Sequence, residues 1–118
     1  MEATNLKVYK GYISHGRRMC QVEHTSTELY FLRPHKSISF HSPEFAWGYD
    51  GNGPAQLALS MLVDHLGGES VPGVRAKAEK LYQQFKAECI QKLPGRDGWT
   101  ITSDEIERWI SETQACGQ

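Results

Sequence analysis

The sequence has little of several things, and each lack narrows the field. No stretch of its 118 residues approaches the ~20 apolar residues that a membrane-spanning helix needs. Charge of one sign is missing too, since 13 Lys+Arg face 14 Asp+Glu for a formal charge of −1. That balance argues against a strongly charged nucleic-acid coat and against a polybasic membrane anchor. Cysteine is sparse and odd in number, and Cys20, Cys89 and Cys116 stand too far apart to suggest a disulfide framework. The opening Met1-Glu2-Ala3-Thr4 lacks the basic-then-apolar order of a secretory signal. Reduced thiols in a cytoplasmic protein are therefore expected. Internal repeats and low-complexity tracts are absent.

What is there reads as a folded domain. Hydrophobic residues make up 39% and charged residues 23% of the chain, a balance that disfavours disorder. The length predicts one domain over 1–118. Within it, 1–50 carries 6 Lys+Arg, 5 Asp+Glu and four of the five histidines, whereas 51–118 carries 7 Lys+Arg and 9 Asp+Glu.

The first part has the pattern of strands. Val8, Tyr9, Tyr12 and Ile13 punctuate 6–13, and Met19, Cys20 and Val22 mark a return over 17–24. The turn-sized 14–16 between them makes a hairpin. A third strand is expected over 28–33, ended by Pro34, and a short fourth over 37–41. The second part has the pattern of helices. Pro54 opens a helix running to Leu66, capped by Asn52 or Gly53 and stopped by Gly67-Gly68. Apolar on most sides, that helix belongs at the centre of the core. Over 74–93, Val74, Ala78, Leu81, Tyr82, Phe85, Cys89, Ile90 and Leu93 form an amphipathic stripe. Thr102 and Glu105 make a capping box, and Ile101 and Ile106 its hydrophobic staple, for a last helix with 114–118 as a frayed tail. The expected fold is α+β, an N-terminal antiparallel sheet of three or four strands packed on three C-terminal helices.

The run from Phe45 to Leu59 contains Trp47-Gly48-Tyr49 and Gly51-Asn52-Gly53-Pro54-Ala55-Gln56-Leu57-Ala58. With Tyr82-x-x-Phe85-Lys86 and Trp99-x-Ile101-Thr102-x-x-Glu105-Ile106, it resembles the signature of a small domain-of-unknown-function family. That family occurs in bacterial, archaeal, plasmid and phage proteins. The resemblance covers most of the chain. It implies a mobile-element setting, to which a regulatory or counter-defence role is suited, but it carries no activity, cofactor or catalytic residue.

Candidate sites follow from the residues. The glycine-rich turn precedes a helix N-terminus, where free N–H groups favour a phosphate or carboxylate flanked by Trp47, Tyr49, Asp50, Asn52 and Gln56. It has neither the Gly-Lys-Ser/Thr of a Walker loop nor the dinucleotide fingerprint, and Asp50 adds an unhelpful charge. Tight backbone geometry is the favoured reading of these glycines. Trp47 and Tyr49, with Phe45, would form a stacking platform on an extended segment, but closing the core is favoured for them.

Lys7, Lys10, Arg17 and Arg18 cluster on the hairpin with Tyr9, Tyr12 and His15, a weak nucleic-acid candidate. Alternation would leave about half of those charges on one face. Cys20, His24, His35 and His41 match no zinc spacing, so no metal is expected. Cys89 lies on an apolar stripe, and Asp50, Asp64 and Glu69 have no spacing that argues for a carboxylate pair. No cofactor is expected. The reading leans to a non-enzymatic binding protein acting through a protein partner, with a nucleotide- or anion-binding module at 47–56 as the alternative.

Overall fold

The computed structural model describes residues 7–24, 28–33 and 44–116, apart from the side chains of 115 and 116. The first two strands, β1 (Lys7–Ser14) and β2 (Arg17–His24), form the expected hairpin. Its two-residue turn holds His15 at φ 52° and Gly16 at φ 79°. Positive φ at both central positions matches the right-handed twist of the flanking strands. The third strand, β3 (Glu28–Phe31), pairs antiparallel with β2. The expected strand at 37–41 lies outside the described residues.

A fourth strand comes instead from late in the chain. The segment Trp99–Thr102 is β4 and pairs antiparallel with β1, giving the order β3-β2-β1-β4. Alternation explains it. Trp99 and Ile101 face the helices, whereas Thr100 and Thr102 face the other way. Gly11 makes room for this pairing, because the Trp99 ring lies where a Cβ on Gly11 would stand.

Three helices cover one face of the sheet: α1 (Asn52–Leu66), α2 (Val74–Phe85) and α3 (Ser103–Cys116). Helix α1 begins slightly earlier than its sequence suggests, with Gly51 as the cap. Pro54 has no N–H to donate, so Asn52, Gly53 and Pro54 form the first turn, and Ala55 N–H makes the 3.1 Å bond to Gly51 O. Gly67, at φ 117°, ends the helix as expected, and Gly68 N–H returns to Val63 O at 2.9 Å. All eleven residues from Gly53 to Val63 are buried. They join Tyr9, Cys20 and Val22 of the sheet and Val74, Ala78, Leu81 and Phe85 of α2 in one core.

The stripe over 74–93 is not one continuous α-helix. After Phe85 the chain widens into a π-helical turn (Lys86–Ile90), closed by Gln91 N–H to Lys86 O at 2.9 Å. An α-helix would turn Cys89 inward, four residues after Phe85. The extra residue brings Ile90 into the core and leaves Cys89 half-buried. The capping box forms as read. Glu105 Oε1 accepts from Thr102 N–H at 2.8 Å, and Thr102 Oγ1 from Glu105 N–H at 3.2 Å. Helix α3 continues to Cys116, past the expected end at 113.

Candidate functional site

The polar centre of the molecule is Asp64, near the C-terminal end of α1. Its Oδ1 accepts from Tyr9 Oη at 2.6 Å and from Lys7 Nζ at 3.0 Å. Its Oδ2 accepts from Tyr30 Oη at 2.7 Å, and Lys7 Nζ also reaches the Asp64 carbonyl. Residues from β1, β3 and α1 thus converge on one carboxylate. Burial pushes the Tyr9 phenol well above its ordinary range, and the neighbouring Asp64 charge adds to that. Tyr30 is raised by burial and by its bond to Asp64. Both phenols are therefore protonated donors. Cys20, beneath the sheet, is also pushed up by burial and by Asp64.

A groove of about 480 Å³ opens beside this network, lined by Tyr30, Phe31, Leu32, Arg33 and Asp64. On the sheet's outer face, opposite the helices, Leu29 and Phe31 stand 60% and 50% exposed. They are two residues apart on an edge strand, so they share a side. Register places Glu23 opposite Leu29 and Gln21 opposite Phe31. On β1, Lys10 bonds to Glu23 at 2.9 Å. The apolar pair is thus bordered by a polar, ion-paired rim.

The residues singled out at 47–56 are divided by burial. Trp47 and Gln56 are fully buried, whereas Tyr49 is 52% exposed and Asp50 and Asn52 also face solvent. Trp47 packs edge-on against Trp99 with ring centroids 5.3 Å apart, and the Arg18 guanidinium lies 5.6 Å from its ring centroid. Phe45 is buried with it. Gly48, at φ 86°, presses its backbone onto Gly95, leaving no room for a Cβ. Asp50 is held by Lys86 at 2.9 Å. The turn packs tightly, and its five candidate residues do not face one space.

The basic hairpin residues are likewise divided. Lys7 and Arg18 lie on the helix-facing side and Lys10 and Arg17 on the other, as alternation requires. Each has a partner: Asp64 for Lys7, Glu23 for Lys10, Glu44 at 3.7 Å for Arg17, and the Gly95 carbonyl for Arg18. Cys20 and His24 share the inner side of β2, but His24 Nδ1 is engaged by Glu28 at 2.9 Å. His35 and His41 lie outside the described residues. Among the described residues no group of three His, Cys, Asp or Glu is placed to hold a metal. Asp50 and Asp64 lie at opposite ends of α1, roughly 20 Å apart at 1.5 Å per residue. They form no carboxylate pair.

A second cleft, of about 280 Å³, lies between the π-helical turn and α3 and is lined by Phe85, Cys89, Leu93, Ile101, Glu105 and Trp109 among others. Burial, aided by Glu88, pushes the Cys89 thiol up to about 11, so it is protonated at neutral pH. Glu88 itself is held below the usual carboxylate range by bonds from Gln84 and Trp109.

Comparison with known families settles the kinship. A model described as a family of unknown function, DUF6166, matches residues 9–112. The chain belongs to the DUF6166 family. Searches of curated proteins and of solved structures returned no match. The DUF6166 match spans β1 through most of α3, and so includes Asp64, both tyrosines that bond to it, and the β3 edge. Among the described residues of this DUF6166 chain, no helix is long and apolar enough to cross a membrane. Sequence reasoning passed over Leu29, Tyr30, Phe31 and Arg33. Their signal is Leu-Tyr-Phe-Leu, apolar on both sides of a short strand where an edge would ordinarily show a polar outer side.

Proposed function

We propose that this protein is a small non-enzymatic binding protein that docks a protein partner on the outer face of its sheet, at β3. The observation that carries the reading is the exposure of Leu29 and Phe31 side by side on an edge strand. Apolar anchors inside a polar rim are the usual composition of a protein-docking patch. Elsewhere on the sheet the charged side chains are ion-paired, apart from Arg18, which bonds to the Gly95 carbonyl. A regulatory role toward a host protein, such as a component of a defence system, accords with the phage and plasmid setting that the resemblance implies.

The test is a Leu29→Asp, Phe31→Asp double variant. Both side chains leave the core alone, so the variant is expected to fold with unchanged circular dichroism while losing whatever protein co-purifies with the wild type. Retention of that partner by the folded variant would refute docking at β3. The anion-binding alternative at 47–56 has less support, because Trp47 and Gln56 are interior and only Tyr49, Asp50 and Asn52 reach solvent. A nucleic-acid role for the hairpin has less support as well, because Lys7, Lys10, Arg17 and Arg18 are already engaged.

A further inference from the structure

The outer edge of β3, unpaired among the described residues, presents backbone as well as side chains. In an antiparallel pair, residues alternate between those that exchange bonds with the neighbour and those whose N–H and C=O point away. Leu32 N–H donates to Cys20 O at 2.9 Å, and the register sets Tyr30 opposite Val22 and Glu28 opposite His24. Positions 28, 30 and 32 therefore spend their backbone groups on β2. By the same alternation Leu29 and Phe31 turn theirs outward, where no described strand lies beyond β3.

The opposite edge is different. Strand β4 carries Thr100 and Thr102 on the outer face, so no large apolar side chain stands there as Leu29 and Phe31 do on β3. Strand β3 has neither Lys nor Pro within Glu28–Phe31.

The groove beside β3 completes the picture. Four consecutive residues, Tyr30 to Arg33, line it, so side chains from both faces of the strand border it, as they do along a strand's edge. Asp64 forms its inner wall. Oδ1 already accepts two hydrogen bonds, whereas among the described residues Oδ2 accepts only that of Tyr30, which leaves it an acceptor position there. Lys7 offsets the Asp64 charge at 3.0 Å, whereas Arg33 is exposed and has no ion pair among the described residues. Of the two charged residues that line the groove, Asp64 is thus paired and Arg33 is left to meet a carboxylate.

We infer that the partner enters as an extended acidic segment, added to the β3 edge as a further strand, with a carboxylate on Arg33 and a hydroxyl or amide donor on Asp64 Oδ2. This rests on the protein-docking reading above and names its mode. Main-chain bonds to Leu29 and Phe31 would supply affinity, and the Arg33 and Asp64 contacts would supply selectivity.

The test needs no natural partner. Twelve-residue peptides are selected from a displayed random library on the full chain, and the best is synthesised and titrated into isotope-labelled protein. Expected are enrichment of Asp and Glu, amide hydrogen exchange at Leu29 and Phe31 slowed at least tenfold at saturation, and binding at least tenfold weaker in Arg33→Gln. Peptides that shift Tyr12, Met19 and the Leu29 and Phe31 side chains while leaving those two amides exchanging freely would overturn strand addition and leave docking on the face standing. Binders that map elsewhere, or no binder at all, would also overturn it. Survival of partner capture in the Leu29→Asp, Phe31→Asp variant is the separate result that removes the docking reading itself.

Discussion

Replacing Tyr9 by Phe isolates one bond of the Asp64 network. The ring is fully buried, and Phe keeps its volume, so no cavity term enters. What is lost is a 2.6 Å bond from a buried hydroxyl to a carboxylate. Hydrogen bonds to charged groups contribute about 1.5–3 kcal/mol. Lys7 and Tyr30 remain on the carboxylate, which argues for the lower half of that range. For a domain near this size, each kcal/mol moves the melting temperature by roughly 4 °C. A fall of roughly 6–9 °C is therefore expected. The same side chain sets an alkaline limit. Burial raises the Tyr9 phenol in the folded state, whereas the unfolded chain releases that proton near pH 10. The stability it contributes is fully present below about pH 10 and is lost as pH rises above it. The slope is about 1.4 kcal/mol per pH unit for one proton. Urea denaturation at pH 8, 10.5 and 11.5 reads both effects. The wild type should lose about 1.2 kcal/mol more than Tyr9→Phe between the two alkaline points, slightly under the full slope because the unfolded phenol is still part-protonated at pH 10.5. A destabilisation below ~0.5 kcal/mol at pH 8, or parallel alkaline profiles, would refute this account of Tyr9.

Further consequences are open to the same kind of measurement. Thr102→Ala removes one half of the capping box and should cost about 1 kcal/mol in chemical denaturation, with an unchanged denaturant slope. Gly11→Ala sets a methyl group into the Trp99 ring between paired strands, and a loss of about 2–3 kcal/mol is expected with altered Trp fluorescence. In a Cys116→Ser background, Cys89 should react with iodoacetamide at pH 7 at least roughly a hundredfold slower than free cysteine. Its rate should climb about tenfold per pH unit toward its titration near 11. Fast labelling at pH 7 would show the thiol to be less shielded than its packing implies.

How much of this was legible in the sequence depends on the range of the signal. The hairpin and the capping box are written within short contiguous stretches, 7–24 and 101–106, and both form where local rules place them. Helix α1 announced its own burial through an apolar run broken only by the Gln56, Ser60 and Asp64 line. Strand β4 was missed because four residues give alternation too little length, and its pairing with β1 joins positions more than eighty residues apart. The π-helical turn was missed because both Cys89 and Ile90 fit a helical stripe. Only the packing of Ile90 into the core decides between them. The Asp64 site was invisible for a stronger reason. Lys7, Tyr9, Tyr30 and Asp64 have no spacing relation, and they meet only once the strand order is known.

That last point bears on where recognition can evolve in this fold. The carboxylate ties the sheet to its central helix, so Tyr9 and Lys7 are committed to holding the structure together. Tyr30 is committed on one side only. Its hydroxyl belongs to the Asp64 network, while its neighbours Leu29 and Phe31 contribute nothing to the core and point away from it. An edge strand held from its inner side, by the ladder to β2, the buried Leu32 and the Tyr30 bond to Asp64, can change its outward residues at little cost to stability, because surface substitutions away from such features usually lie within about 0.5 kcal/mol. Apolar side chains kept there carry a solubility penalty that nothing inside the fold offsets. A partner of the kind proposed would supply the missing term by covering them.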